Sequence, residues 1–239
     1  MKLRNITVAA CLGWVACMGA ANAVSLTTSG TWSDTTGTAV ISGEGTSQIS
    51  WGIPSNPENA QSSYVFEGVT ESVEINDLIS QNFLLGEFTH NNRTISGAGG
   101  SLSTAVLNVD LTLDAFSQLF SFDFSHNETT NQPVGGICPD GGIPPCPDVV
   151  SFPNAVSDQF ITLEGVDYNL TLIGFSQDGG STLVENFLTL EAASNEAGLY
   201  ARLTEVTDSG EPVPEPTGFL GLMAVGGAAI ALKRRQQLT

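Results

Sequence analysis

Between Ser103 and Asp114 the chain alternates apolar and polar residues. Ala105, Leu107, Val109, Leu111 and Leu113 share one parity, while Thr104, Asn108, Asp110, Thr112 and Asp114 share the other. A period of two puts one set on each face of a β-strand, one face buried and the other wet. Phe120–Ser125 repeats the pattern with phenylalanines inward, and Val166–Leu172 repeats it again. Further short segments read the same way at Ala39–Ser42, Gln48–Trp51, Tyr64–Glu67, Ser72–Ile75, Phe83–Thr89, Val149–Phe152, Gln159–Glu164, Asn186–Glu191 and Leu199–Val206. Gly, Asn, Asp and Pro clusters separate them. Roughly a dozen strands are too many for one sheet. The sequence therefore predicts an all-β fold, a two-sheet antiparallel sandwich of jelly-roll-like type, with almost no helix between the two ends.

The ends are of a different kind. Residues 1–23 carry Lys2 and Arg4, then an apolar run from Ile6 to Ala20, then Ala21-Asn22-Ala23. This is the layout of a signal peptide cut by signal peptidase after Ala23. The run is shorter than the about 20 apolar residues that a span needs. At the other end, residues 217–232 hold no charge and Lys233, Arg234 and Arg235 follow at once. Sixteen helical residues rise about 24 Å. That makes a short transmembrane helix, with the basic tail of residues 233–239 kept in the cytoplasm. Between lie a β domain over residues 24–206 and a polar, Pro-containing linker over residues 207–216.

Val213, Pro214, Glu215 and Pro216 stand just before the apolar run. This tail resembles that of the PEP-CTERM proteins of Gram-negative and cyanobacterial envelopes. There a Val-Pro-Glu-Pro motif, a short hydrophobic helix and a basic terminus form one sorting signal. The resemblance implies processing by an exosortase, transient anchoring in the inner membrane, and delivery to the cell surface or extracellular matrix.

Charge agrees with export. The stretch 24–216 keeps only Arg93 and Arg202 against all twenty-five acidic residues, a formal charge of −23. Such a surface repels polyanions, which excludes nucleic-acid binding through phosphates. It attracts cations, calcium among them, and no motif requires a cofactor. After loss of Cys11 and Cys17 only Cys138 and Cys146 remain, in a Pro/Gly-rich loop, and an oxidising compartment is expected to join them as a disulfide. A zinc site at the cysteines would need further soft ligands, and the exported part has no other cysteine.

One motif recurs. Phe88-Thr89-His90-Asn91 and Phe124-Ser125-His126-Asn127 share the frame Phe-hydroxyl-His-Asn and hold the only two histidines. Each closes a strand, and parity carries both imidazoles to the rim of the inner face. Two readings stand: a shared polar or ligand site of His90, Asn91, His126 and Glu128, or two independent strand caps. In a shared site the two strand ends either face each other across the sandwich or, with the strand Ser103–Asp114 between them, stand two strands apart at one edge of a single sheet. No metal is assigned to it.

At these residues the chain also resembles an exported bacterial domain named for a Thr-His-x-Asn motif, close to the choice-of-anchor K type. Phe88–Asn92 carries the likeness, with Phe124–Asn131, Cys138, Cys146 and Asp148 as a second landmark. Such domains are β-rich and are joined to interchangeable surface anchors.

No Gly-x-Ser-x-Gly elbow or His-Glu-x-x-His is present, and no cysteine has a setting that lowers its pKa. The expected function is non-enzymatic, and the resemblance of the tail implies a structural or adhesive role within exopolysaccharide or biofilm material. A calcium-assisted carbohydrate-binding module is the alternative, and a secreted hydrolase the third reading.

Overall fold

The computed structural model describes residues 23–56 and 60–207. Residues 1–22 of the signal segment 1–23, the sorting motif Val213–Pro216, the apolar run 217–232 and the basic cluster Lys233–Arg235 lie outside them. Among the described residues no helix is long and apolar enough to cross a membrane.

Thirteen strands form two antiparallel sheets packed face to face. The first sheet runs β12 (Asn186–Thr189), β9 (Asp148–Ser151), β8 (Phe116–Asn127), β7 (Leu102–Leu113), β1 (Ala23–Gly37), β5 (Thr70–Glu74). The second runs β10 (Val156–Leu163), β11 (Val166–Ser176), β13 (Ala193–Glu205), β6 (Phe83–Asn92), β4 (Ser62–Gly68), β3 (Gln48–Trp51), β2 (Ile41–Ser42). The core lies between them. Leu107, Val109, Leu111, Phe120, Phe122 and Phe124 point in from one sheet, and Ile49, Tyr64, Phe66, Phe88, Leu170 and Leu199 from the other. Alternation on each strand sends the polar set outward, which is why one period-2 pattern serves both sheets.

Three departures from the sequence reading have physical causes. The longest strand, β1, carries no strand expectation in the sequence, because two of its inward positions are Thr28 and Gly30 rather than large apolar residues. Thr28 is nonetheless buried, since its hydroxyl donates to the Leu85 carbonyl at 2.6 Å and accepts from Val69 N at 2.9 Å. The expected strand Ser72–Ile75 stops at Glu74, and Ile75–Ser80 forms a short helix, α1. There Ile75, Leu78 and Ile79 fall at helical spacing and pack on the core. Finally, β6 and β8 run past Thr89 and Ser125, where the plain alternation stops, so that β8 closes at Asn127, the end of its Phe-hydroxyl-His-Asn motif, and β6 one residue beyond its own, at Asn92.

Candidate functional site

Extension of β6 and β8 decides where the histidines go. In β6 the inward row Phe88, His90, Asn92 continues past the phenylalanine, and in β8 the row Phe120, Phe122, Phe124, His126 does the same. The two strands belong to opposite sheets, so of the two arrangements open to a shared site the rings take the one across the sandwich and not the one along a single sheet. Their centroids are 5.3 Å apart and nearly perpendicular. Both are buried; His90 is 0 % exposed.

An aromatic wall holds them. Trp51 stacks on His90 at 5.6 Å and meets His126 edge-on at 5.4 Å. Tyr64, the direct cross-strand partner of His90, donates or accepts a 2.6 Å hydrogen bond with His126 Nδ1. His90 Nδ1 lies 2.8 Å from Thr189 Oγ1, and that hydroxyl in turn donates to the Asp148 carbonyl. Because the Thr189 proton is committed to a carbonyl, its oxygen accepts from His90 Nδ1–H. The network therefore assigns the lone pair of His90 to Nε2.

The carboxylates come from the far side. His126 Nε2 sits 3.2 Å from Glu128 Oε2 and 4.0 Å from Asp148 Oδ2. Asp148 is fully buried; Oδ1 accepts the Thr129 backbone N–H at 2.8 Å, while Oδ2 has no hydrogen-bond partner. Glu191, half-buried after β12, joins Glu128 and Asp148, the three offering oxygens within 4.8 Å of one another. Burial raises the Asp148 carboxyl to about 8, helped by the neighbouring Glu128 charge and opposed by the Thr129 backbone N–H. Burial also pushes Glu191 up, while the Asn92 and Asn131 amides work against it. His90 is driven well below the ordinary imidazole range, first by burial and then by His126. Tyr64 moves well upward, first by burial and then through Asp148 and Glu128.

Of the residues singled out in the sequence, His90, His126 and Glu128 come together here. Asn91 does not. It points to the opposite face of β6 and donates to Ser63 Oγ at 3.1 Å, whereas Asn92 is the asparagine on the site's side, donating to the Thr189 carbonyl. Asp148, Glu191, Tyr64, Trp51 and Thr189 complete the cluster without having been singled out as site residues. Asp148 follows Cys146-Pro147 directly, and that neighbourhood was its signal; Glu191 had none among twenty-five acids.

Cys138 and Cys146 are joined by a disulfide, with Cα atoms 5.3 Å apart. The bonded loop has a positional role, because Cys146 N donates to Asn131 O and Thr129 Oγ1 donates to Cys146 O. Together these tie residues 128–148 into the geometry that brings Glu128 and Asp148 to His126. A Cys138→Ser, Cys146→Ser double variant is expected to lose about 2–3 kcal/mol, the loop-closure entropy of so short a ring. Urea unfolding of the oxidised parent against the variant checks this, and equal midpoints would refute it.

The fold is a two-sheet β-sandwich with a polar cluster of His90, His126 and Asp148 buried between its sheets. Residues 212–235 match the PEP-CTERM protein-sorting motif, which makes the chain an exported, cell-surface-sorted protein processed by an exosortase. No curated protein matches the chain. Mature protein is expected to begin near Val24 and end near Pro216. Intact-mass measurement of surface-released material that still carries Leu238 and Thr239 would contradict that.

Proposed function

We propose that the exported domain is a non-catalytic module, structural or adhesive, that works within exopolysaccharide at the cell surface or in the extracellular matrix. The observation that carries this reading is that the two histidines and Asp148 are enclosed. His90 and Asp148 are 0 % exposed between the sheets. A general acid or base must come within hydrogen-bond reach of its substrate, and a glycan or peptide cannot enter there. The resemblance of Phe88–Asn92 to the Thr-His-x-Asn domains, which are paired with surface anchors, supports the same reading. Deleting the gene should lower the exopolysaccharide retained on cells, and added mature protein should restore it. An unchanged matrix in the deletion strain would end the proposal.

A second reading has its own observation. Beside β8 and β10 runs an open groove of about 590 Å³ lined by Asp123, Asn154, Asp158 and Gln159. Phe116 and Phe160 stand next to it, 61 % and 51 % exposed. Exposed rings beside carboxylates and amides suit a sugar, with one face for stacking and polar groups for hydroxyls. This is the calcium-assisted carbohydrate-binding alternative. A glycan array probed with mature protein, with and without Ca²⁺, tests it: Phe160→Ala should weaken any glycan bound by the parent at least tenfold, and no bound glycan in either condition would remove the reading.

A further inference from the structure

We propose that His90, His126, Asp148 and Glu128 form a site for one divalent transition-metal ion of the zinc class, which clasps the two sheets together. Two independent observations carry it. One ligand atom from each of His90, His126 and Asp148 lies within 4.8 Å of the other two, and all three residues are buried. Second, His90 Nε2 and Asp148 Oδ2 are enclosed and have no hydrogen-bond partner. Buried polar atoms are nearly always partnered, so two unpartnered atoms on residues whose ligand atoms gather within 4.8 Å point to a shared partner.

The donor set selects the ion. Zinc bonds of about 2.0–2.1 Å in a tetrahedron separate ligand atoms by roughly 3.3 Å. His126 Nε2 to Glu128 Oε2 is already 3.2 Å, and His126 Nε2 to Asp148 Oδ2, at 4.0 Å, needs to close by less than 1 Å. Imidazole suits zinc and its first-row neighbours, whereas calcium takes six to eight oxygens and has no use for two rings.

Support for the rings is in place as well. Metal-binding imidazoles hold their second nitrogen on a fixed partner. Here His90 Nδ1–H donates to Thr189 Oγ1, and His126 Nδ1 lies 2.6 Å from the Tyr64 hydroxyl. The Thr129 backbone N–H fixes the other Asp148 oxygen. Entry is through the rim, where the Glu128 side chain is 20 % exposed and Glu191 stands beside it.

With an ion on His126 Nε2, the ring proton sits on Nδ1 and donates to the Tyr64 oxygen. Because His90 comes from one sheet and His126 and Asp148 from the other, the ion ties together what the disulfide does not. Ligation here belongs to the fold and stands apart from either functional reading above.

Mature protein stripped with a chelator, returned to 0.15 M NaCl with excess Ca²⁺ and Mg²⁺ to occupy surface carboxylates, should bind one equivalent of Zn²⁺. Its Tm should rise by roughly 5–10 °C at free zinc a hundredfold above Kd. Asp148→Asn and Glu128→Gln should keep the metal-free Tm within a few degrees and weaken zinc binding at least tenfold. X-ray absorption of the zinc-loaded parent should count two imidazoles, which decides the matter even where a variant fails to fold. No stoichiometric zinc uptake overturns the proposal and leaves a buried water as the shared partner. Equal affinity in the variants, or fewer than two imidazoles, overturns it by placing the ion on surface carboxylates.

Discussion

Phe88→Ala is expected to lower the stability of the domain by about 3–5 kcal/mol, the range for emptying a phenylalanine site in a packed core. The ring is 0 % exposed and touches five others. Trp32 lies at 6.1 Å, Tyr64 at 5.0 Å, Phe124 at 5.8 Å, Phe175 at 5.4 Å and Phe187 at 6.2 Å. Those neighbours come from β1, β4, β8, β11 and β12, hence from both sheets. Each is held by its own strand, so collapse into the void would require several strands to move together. That rigidity selects the upper part of the range. Domains of this kind hold about 5–15 kcal/mol in total. The variant should therefore show a much lower urea midpoint at an unchanged slope, and a smaller yield of exported protein. A loss under about 1 kcal/mol would mean that the aromatic cluster is not the centre of the fold.

The same phenylalanine shows what could be read from residues alone. Ser103–Asp114 was legible because every inward residue is apolar, and all five of Ala105, Leu107, Val109, Leu111 and Leu113 are buried. β1 was hidden because Thr28 and Gly30 occupy inward positions for reasons set by other strands: a hydroxyl bridging Leu85 and Val69, and room for the Phe66 ring. No local pattern encodes a neighbour's ring. At the site, the repeated Phe-hydroxyl-His-Asn frame and its inward parity were readable. The sheet to which each histidine belongs was not, because a β-strand's partner is fixed by tertiary packing. The same parity carried two residues past His90 selects Asn92 over Asn91. Asp148 and Glu191 reach the cluster through a disulfide-closed loop and a strand end, and neither position has a period to betray it.

Close approach of the sheets leads to the second large effect, at the corner where the chain passes from one to the other. Gly68 ends β4 opposite Gly86 on β6, and Val69 follows it. There Thr28 N donates to the Val69 carbonyl at 2.9 Å, drawing β1 against the corner. A methyl group on Gly68 would fall within the Thr28 carbonyl and 3.0 Å from Ser29 Cα. A side chain could rotate away, but these are backbone atoms held by the β1 ladder. On Gly86 a methyl would overlap the Phe66 ring and stand 2.7 Å from the Glu67 carbonyl oxygen, so the facing strand has no slack either. Overpacking usually costs about 1–3 kcal/mol, occasionally more, and backbone as the obstacle puts Gly68→Ala at about 3 kcal/mol or above. Gly97→Ala supplies the control, because a methyl there meets nothing within 4 Å. That variant should stay within about 0.5 kcal/mol of the parent. Thermal and urea unfolding of the pair should separate them clearly. If Gly68→Ala matched Gly97→Ala, β1 could not lie against the corner, and the pairing of β5 with β1 that depends on it would be wrong.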